Sequence, residues 1–205
     1  MMEIGEVLAL IRKMVENYSL PLAESLQEKG ASPFLILVGA MLSTRTKDEV
    51  TARACNRLFK VVKGPSDLKK LSKRDIEELI RPVGFYRNKA SYIKGLENLK
   101  KVPDTLEGLM KLKGVGRKVA NLVLNVAFGR EAICVDTHVH RIMNRLGYVY
   151  TKTPKETEMA LRKKLPKKYW PEVNYLLVLF GQHICTPVRP HCDECLIKDC
   201  PRIGV

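Results

Sequence analysis

The sequence predicts an all-α fold, and two observations lead to that prediction. Apolar residues recur at intervals of three and four along most of the 205-residue chain, which is the spacing of one buried helix face. No segment shows the sustained alternation of apolar and polar residues that is typical of a half-buried strand. The length suits one large domain or two small ones, with enough residues to bury a core.

Cap residues and stop signals locate the individual helices. A Ser or Thr before an apolar run can cap a helix, and a Thr three residues before a Glu has the spacing of a capping box. A glycine after the last periodic residue ends a helix. The predicted helices are 4–18; 33–43 after Ser32 and Pro33; one from the Thr46–Glu49 box to about Val62; one from Ser72 through Ile80; 87–100; 105–111; 117–128 before Gly129; 137–146 before Gly147; one after the Thr153–Glu156 box; and 171–184.

The charge of the chain favours a polyanionic partner. Lys and Arg number 36 against 22 Asp and Glu, which gives a net charge of +14. Nucleic acid is the first such partner and an anionic membrane surface the second, while a basic soluble protein with a solvated surface is the plain alternative. The longest apolar run, residues 34–42, is too short to cross a bilayer, and the N-terminus lacks the pattern of a secretory signal. We therefore expect a cytoplasmic, monomeric protein that meets chromosomal DNA and no membrane.

The strongest local signal is a glycine turn between two apolar helices. Gly114 and Gly116 flank Val115, which allows a tight turn and a close approach of another backbone. The helix that follows begins with unpaired N–H groups, which suit one DNA phosphate, and Lys113 and Arg117 add positive charge. Such contacts touch only the DNA backbone and do not read sequence. An ordinary helical corner, with glycines for packing, is the alternative.

Two motifs in order carry a family resemblance. The stretch Leu-Lys-Gly-Val-Gly-Arg-Lys-Val-Ala-Asn at 112–121, followed by Val-Asp-Thr-His-Val-His-Arg at 135–141, resembles the endonuclease III family of helix-hairpin-helix glycosylases. The resemblance covers essentially the whole chain and implies that Lys118 is the nucleophile and Asp136 the catalytic carboxylate. Alone, Lys118 would be read as a solvated lysine or a phosphate contact, and Asp136 as an N-cap. Their joint occurrence favours catalysis.

The chemistry that the resemblance implies needs both residue types. Breaking an N-glycosidic bond builds positive charge on the sugar, which a carboxylate can stabilise, or the carboxylate can take a proton from the attacking amine. A neutral lysine amine can attack C1′ and form a Schiff base that permits β-elimination. Free lysine titrates near ~10.4, and a helix N-terminus and the neighbouring Arg117 disfavour its charged form. The implied enzyme is a bifunctional glycosylase and abasic-site lyase. It acts on double-stranded DNA that carries a damaged (oxidised) pyrimidine or an abasic site.

Four of the six cysteines are predicted to form one metal site. They lie within 16 residues and are spaced C-x6-C-x2-C-x4-C. Zinc and a four-iron four-sulfur cluster (4Fe-4S) both fit this spacing, and a disulfide pair is a third option. The resemblance implies the iron–sulfur cluster, although the family usually has five residues before the last cysteine and this chain has four. The proposed ligands are Cys185, Cys192, Cys195 and Cys200.

The resemblance also implies a basic loop between these ligands that meets the DNA backbone. Arg189 is the first candidate for that contact and Lys198 the second. His138, in the second motif, is a further candidate DNA contact. The two remaining cysteines, Cys55 and Cys134, are expected to be buried small side chains.

Two further loops are implied to fill the space that a flipped nucleotide leaves. The family has a glutamine where this chain has Arg45, in the segment Leu-Ser-Thr-Arg-Thr-Lys-Asp at 42–48. A planar Arg can stack on the orphan base or hydrogen-bond with it. Phe85, after Gly84, can wedge into the base stack; a surface arginine and a core phenylalanine are the alternatives. Lys113, where the family usually has proline, should alter loop stiffness more than chemistry.

The resemblance implies a two-lobed helix-hairpin-helix DNA glycosylase fold. A six-helix barrel lobe would span residues 20–130 and contain the hairpin at about 105–128. Residues 1–19 and 131–205 would form the second lobe, with the metal loop at 185–200 and DNA in the groove between the lobes. Two alternatives stay open: a mismatch-specific thymine or adenine glycosylase on the same scaffold, and a non-catalytic DNA-binding module. Lys118 counts against the adenine branch, and Lys118 with Asp136 counts against the non-catalytic module.

Overall fold

The computed structural model describes residues 2–205, and all regular structure within them is helical, which confirms the all-α prediction. Two short 3-10 helices, Pro65–Lys70 and Lys167–Tyr169, accompany the α-helices. The α-helices are α1 (Ile4–Val15), α2 (Leu22–Glu28), α3 (Pro33–Ser43), α4 (Asp48–Val61), α5 (Lys73–Ile80), α6 (Tyr86–Lys94), α7 (Leu106–Met110), α8 (Arg117–Phe128), α9 (Thr137–Arg145), α10 (Pro154–Lys164) and α11 (Trp170–His183).

The chain divides into two compact units. The first, Leu22–Arg130, is called the hairpin unit here because it contains α7 and α8. The second, called the terminal unit, contains the residues up to Pro21 together with Glu131–Val205. In residues 2–205 no helix is both long enough and apolar enough to cross a bilayer.

The hairpin unit is built around α3 and α8, which pack against each other. Helix α3 is apolar on nearly every side, as expected for a helix at the centre of a core, and α8 buries residues 119–124 and 126. Ser32 caps α3 as predicted, since its Oγ accepts from the backbone N–H of Leu35 at 3.4 Å, and Pro33 occupies the first helical position. Helices α2, α4, α6 and α7 pack against α3 or α8, and α5 packs against α4 and α6.

The terminal unit is built around α11, which packs against α1 and α9. Its core joins apolar residues from both ends of the sequence, including Leu8, Ile142 and Leu176. A buried extended segment, residues 132–135, leads into α9. Asn174 on α11 holds that segment by donating to the carbonyl of Cys134 at 3.2 Å. The segment that leads into α9 is therefore buried and tied to α11.

The structure corrects the prediction at Thr46. Helix α4 begins at Asp48 with Lys47 as its N-cap, and no side chain caps it. The Thr46 hydroxyl instead accepts from the backbone N–H of Gly84 and from the amine of Lys89. The capping-box interpretation was wrong because a contact distant in sequence uses the hydroxyl that the local pattern assigned to the helix.

Two other helix boundaries differ from the prediction, and one helix was not predicted. Helix α1 ends at Val15, and Tyr18 lies beyond it with its ring stacked on that of His183. The helix predicted over 87–100 ends at Lys94, where Gly95 closes it and a series of turns follows. Helix α2 was missed because it is only seven residues long and buries a single residue, Ala23.

Candidate functional site

The predicted hairpin is present between α7 and α8. Gly116 is the N-cap of α8 and offers no side chain to the first turn of the helix. Val115 is buried and anchors the turn through its backbone N–H, which donates to the carbonyl of Leu112 at 3.0 Å. Lys113 is exposed and Arg117 is half-buried. The first N–H groups of α8 therefore lie beside two cations, an arrangement that suits an anion such as phosphate.

Glycine occupies the two positions of the turn for different structural reasons. Gly114 has a φ of +83°, and a Cβ there would overlap the ring of Tyr92, so conformation and packing both require glycine. A Cβ on Gly116 would meet no atom within 4 Å. Packing within the protein therefore does not explain Gly116, whereas close approach of a ligand backbone would.

Lys118 is the second residue of α8 and is half-buried. Its neighbours Val119 and Ala120 are buried in the core of the hairpin unit. The side chain is therefore carried on a rigid helix rather than on a loop, within the first turn after the uncapped N-terminus. This is the position that the glycine motif predicted.

Asp136 is the N-cap of α9 in the terminal unit. Its Oδ1 accepts from the backbone N–H groups of His138 at 2.9 Å and Val139 at 3.0 Å. Asp136 thus has the capping role that its position before α9 predicted. Because both bonds use Oδ1, the Oδ2 atom is the one that can face a substrate.

The inner face of α9 links its N-terminus to the cysteine-rich segment. Arg141 donates from Nη2 to the carbonyls of Gly181 at 3.1 Å and Cys185 at 2.9 Å. The same nitrogen lies 3.3 Å from Nδ1 of His138, whose ring is half-buried. Burial lowers the pKa of Arg141. His138 is therefore held by contacts within its own unit, close to the cap residue Asp136.

Arg145 lies one turn further along α9 and is buried. Its Nη1 donates to the Thr186 carbonyl at 2.7 Å and to the Sγ of Cys185 at 3.4 Å, and its Nη2 donates to the Pro187 carbonyl at 3.0 Å. A single guanidinium thus fixes the loop that follows the first of the four clustered cysteines.

A glycine on α11 allows this close packing. A Cβ on Gly181 would lie 2.5 Å from Nδ1 of His138 and 2.8 Å from Nη2 of Arg141. We expect Gly181→Ala to lower the free energy of unfolding by about 1–3 kcal/mol, the usual cost of overpacking a core. Thermal denaturation measures this change. Gly64→Ala is the control, since a Cβ there meets nothing within 4 Å; equal melting temperatures for the two variants would contradict the packing argument.

The four clustered cysteines line one pocket of the terminal unit, together with Arg145, Arg202, His191 and apolar residues. Burial raises the pKa of Cys195, a backbone hydrogen bond from Ile197 lowers it, and the other three thiols raise it further, so Cys195 lies within electrostatic range of each of them. Among residues 2–205, no three acidic, histidine or cysteine side chains have the geometry of a bound metal ion. A shared, partly buried pocket of four soft donors fits an iron–sulfur group in donor type and number.

The other cysteine-region predictions are placed as follows. Arg189 is exposed in the loop between the first two cysteines and has a φ of +54°. The Thr186 hydroxyl lies within hydrogen-bonding distance of the carbonyls of Val188 and Arg189, which stabilises that turn. Cys55 and Cys134 are buried, as predicted, and burial raises the pKa of Cys55 to about 12.

Arg45 and Phe85 line one cleft of the hairpin unit together with Gly114 of the hairpin. Both side chains are exposed, and the guanidinium carbon of Arg45 lies 5.7 Å from the centroid of the Phe85 ring. The structure therefore brings together, beside the hairpin, the two residues that were predicted to fill the space left by a flipped nucleotide. Phe85 is 60% exposed, so the core-phenylalanine alternative is wrong.

Sequence reasoning missed Lys89, which lies at the base of this cleft. Its side chain is buried, and burial lowers its pKa to about 8. The amine donates to the carbonyls of Leu42 at 2.8 Å and Thr44 at 2.6 Å and to the Thr46 hydroxyl at 3.2 Å. The apolar spacing of α6 places Lys89 next to Ala90 on the inner face, which was the available signal.

Comparison with known proteins first gives the class. Residues 38–167, more than half of the chain, match the family model described as HhH-GPD superfamily base excision DNA repair protein. Endonuclease III of Thermotoga maritima is 48% identical over 177 residues, which are 83% of each chain. The chain belongs to the endonuclease III family of that superfamily.

Two further comparisons extend this result. Endonuclease III homolog 2, chloroplastic, of Arabidopsis thaliana is 46% identical over 184 residues, which cover 82% of this chain but only 48% of that longer protein. A solved structure of a trapped endonuclease III–DNA covalent intermediate, an estranged-adenine complex, matches with a TM-score of 0.82 and 33% identity. It covers 96% of this chain and 94% of that one. The likeness therefore includes both units of the chain.

Proposed function

We propose that this protein is a bifunctional DNA glycosylase and abasic-site lyase that removes damaged pyrimidines from double-stranded DNA. The observation that carries the proposal is the position of Lys118, in the first turn of α8 behind an uncapped Gly116. The chain belongs to the endonuclease III family, and the resemblance of its motifs to that family implies that this amine is the nucleophile. Lys118 is presented beside the helix terminus that suits a phosphate of the same DNA strand.

The proposed reaction begins with attack of the neutral Lys118 amine on C1′ of the damaged nucleotide. The N-glycosidic bond breaks as the new C–N bond forms, and the base leaves with its bonding electrons and is protonated. The amine loses its proton, the sugar ring opens and a Schiff base results. Loss of a C2′ proton then expels the 3′ phosphate by β-elimination, and water releases the enzyme from the sugar fragment.

Asp136 is proposed as the carboxylate of this reaction. One oxygen, Oδ1, is committed to the α9 backbone, which fixes the orientation of the group. The second oxygen can stabilise positive charge on the sugar or accept the proton that the amine gives up. A carboxylate whose geometry is set by two backbone bonds is well suited to either role.

The hairpin is proposed to bind the DNA backbone. The N–H groups at the start of α8 would receive one phosphate, with Lys113 and Arg117 adding positive charge. Arg189 and His138 are proposed as further contacts, Arg189 because it is exposed on a basic loop. None of these groups reads base edges, so recognition of the lesion must come from elsewhere.

The four cysteines are proposed to hold a four-iron four-sulfur cluster. When bound, such a group would crosslink the loop through four metal–thiolate bonds. Arg145 would remain beside Cys185 and orient the first part of the loop. The protein as purified is expected to be brown, with visible absorption, iron and acid-labile sulfide that are lost together in Cys192→Ser. A colourless protein that contains zinc would contradict this assignment.

The test of the function is an assay on defined duplexes. One strand carries a single oxidised or saturated pyrimidine, and matched duplexes carry a thymine–guanine mismatch, an adenine–guanine mismatch or no damage. The proposal expects base release and a β-elimination nick on the damaged pyrimidine only. Release of thymine or adenine from a mismatch would instead support a mismatch glycosylase, and binding without cleavage would support a non-catalytic module.

A further inference from the structure

We infer that Arg45 and Phe85 act as one stacked unit that sets the preference for the base opposite the lesion, and that Lys89 is the residue that positions it. This inference rests on the proposed function, because it concerns how the same site fills the space left by a flipped nucleotide. It goes further by coupling two residues on separate loops and by assigning a role to a third, buried one.

The first support is a set of hydrogen bonds at the C-terminal end of α3. The last carbonyls of a helix have no partner within it, and here the carbonyl of Leu42 receives the buried Lys89 amine at 2.8 Å. The same amine reaches the Thr44 carbonyl at 2.6 Å, on the residue that directly precedes Arg45. A cation at the C-terminal end of a helix is also favoured by the helix dipole. Lys89 thus fixes the backbone from which Arg45 projects.

The second support is the junction between the two loops. The Thr46 hydroxyl accepts from Lys89 at 3.2 Å and from the backbone N–H of Gly84 at 3.1 Å. A Cβ on Gly84 would lie 2.7 Å from the Arg45 carbonyl oxygen, so the two backbones approach as closely as only glycine permits. Movement of either loop therefore displaces the other.

The third support is the backbone conformation of Arg45 and Phe85. Arg45 has a φ of +52° and Phe85 a φ of +56°, in the left-handed region that non-glycine residues rarely occupy. Neighbouring contacts must hold both residues there. The result is a guanidinium 5.7 Å from the centre of an exposed aromatic ring. Cation–aromatic stacking at this distance makes the orientation of each side chain depend on the other.

The chemistry of Arg45 indicates which opposite base is preferred. A guanidinium has donors only, and the major-groove edge of guanine offers it two adjacent acceptors, O6 and N7, whereas the same edge of adenine pairs one acceptor with one donor. A glutamine, which donates and accepts, matches adenine instead. We therefore expect this enzyme to excise a damaged pyrimidine faster opposite guanine than opposite adenine. Phe85 would keep the guanidinium in the plane that this contact needs.

The experiment measures single-turnover excision of dihydrouracil opposite guanine and opposite adenine. The ratio of the two rates is the readout, because loss of folded protein lowers both rates equally and leaves the ratio unchanged. The wild type is expected to favour guanine about fivefold or more, the lower end of what one bidentate contact discriminates. Arg45→Gln should move the preference to adenine. Phe85→Ala and Lys89→Met, which keep Arg45, should bring the ratio close to one.

A matched control lies on the same helix. Lys94 donates to the Leu68 carbonyl at 2.8 Å and pairs with Glu97 at 2.7 Å, partners that lie outside both loops, so Lys94→Met should leave the ratio at its wild-type value. Thr46→Val removes the hydrogen bonds that join the two loops but keeps Lys89, and it replaces Lys89→Met in the test if that variant does not fold.

With guanine opposite, Arg45→Ala and Phe85→Ala should each slow excision about tenfold. The double variant should lose less than about 30-fold, where independent residues would lose about 100-fold.

Additive losses, or a guanine preference that survives both Phe85→Ala and Lys89→Met or Thr46→Val, would overturn the inference. A wild type that prefers adenine would also overturn it. These outcomes differ from failure of the proposed function, in which the wild-type protein would release no dihydrouracil opposite either base.

Discussion

Replacing Lys118 with glutamine is expected to slow strand cleavage at abasic sites by at least about three orders of magnitude. The reason is that the proposed mechanism has no second group that can form the covalent intermediate. Glutamine keeps most of the length of the side chain and can still donate a hydrogen bond, but it cannot form a Schiff base. Folding should be little changed, since Lys118 is only half-buried at the surface end of α8. The measurement is single-turnover nicking of a duplex with one abasic site.

The hairpin supplies a matched control for this variant. Lys113 lies in the same turn, carries the same charge and is exposed. If its role is a phosphate contact, Lys113→Gln should weaken binding to all DNA sequences, while cleavage of bound DNA continues. The slope of the logarithm of the binding constant against the logarithm of the salt concentration should become less steep by about one. Equal losses of cleavage in the two variants would show that charge, rather than nucleophilicity, explains Lys118.

Asp136→Asn is expected to produce the second-largest effect, a fall in the rate of base release of about 100- to 10,000-fold, the usual range for a positioned proton acceptor or donor. Asparagine is as good an N-cap as aspartate, so its side-chain oxygen can still accept from His138 and Val139. The substitution therefore removes the charge while it keeps the cap. Base release by the variant and the wild type is compared at one pH, with thermal unfolding of both.

The comparison with Asp136→Ala separates the two roles of this residue. Alanine removes the cap as well, and should lower the free energy of unfolding by about 1 kcal/mol. If Asp136→Asn released the base at the wild-type rate while Asp136→Ala was slow only because it unfolds, Asp136 would be a cap and no more. In that case the catalytic carboxylate would have to be sought elsewhere.

The parts of the site that local patterns determine were predictable from the sequence. A glycine turn before a helix depends on residues within a few positions of one another, so Gly116 and Lys118 lie where the motif indicated. The cap at Asp136 was predictable for the same reason. The all-α fold follows from apolar spacing, which each helix carries in its own sequence.

The parts that depend on distant contacts were not predictable. The Thr46 hydroxyl was assigned to a local helix cap, but it is used by Gly84 and Lys89, about 40 positions away. Arg145 resembles any basic residue at a helix end, and only the tertiary structure shows that it binds the loop after Cys185. Helical spacing can show that such a cation lies on a buried face, but it does not identify its partners, because these are backbone carbonyls that every sequence contains.

The most direct test of the central claim is reduction with borohydride during incubation with an abasic duplex. The account predicts a stable protein–DNA adduct in the wild type, because reduction converts the Schiff base to an amine. Peptide mapping should place the sugar remnant on Lys118, and Lys118→Gln should form none. Absence of an adduct in the wild type, or a remnant on Lys89 or another amine, would contradict the account.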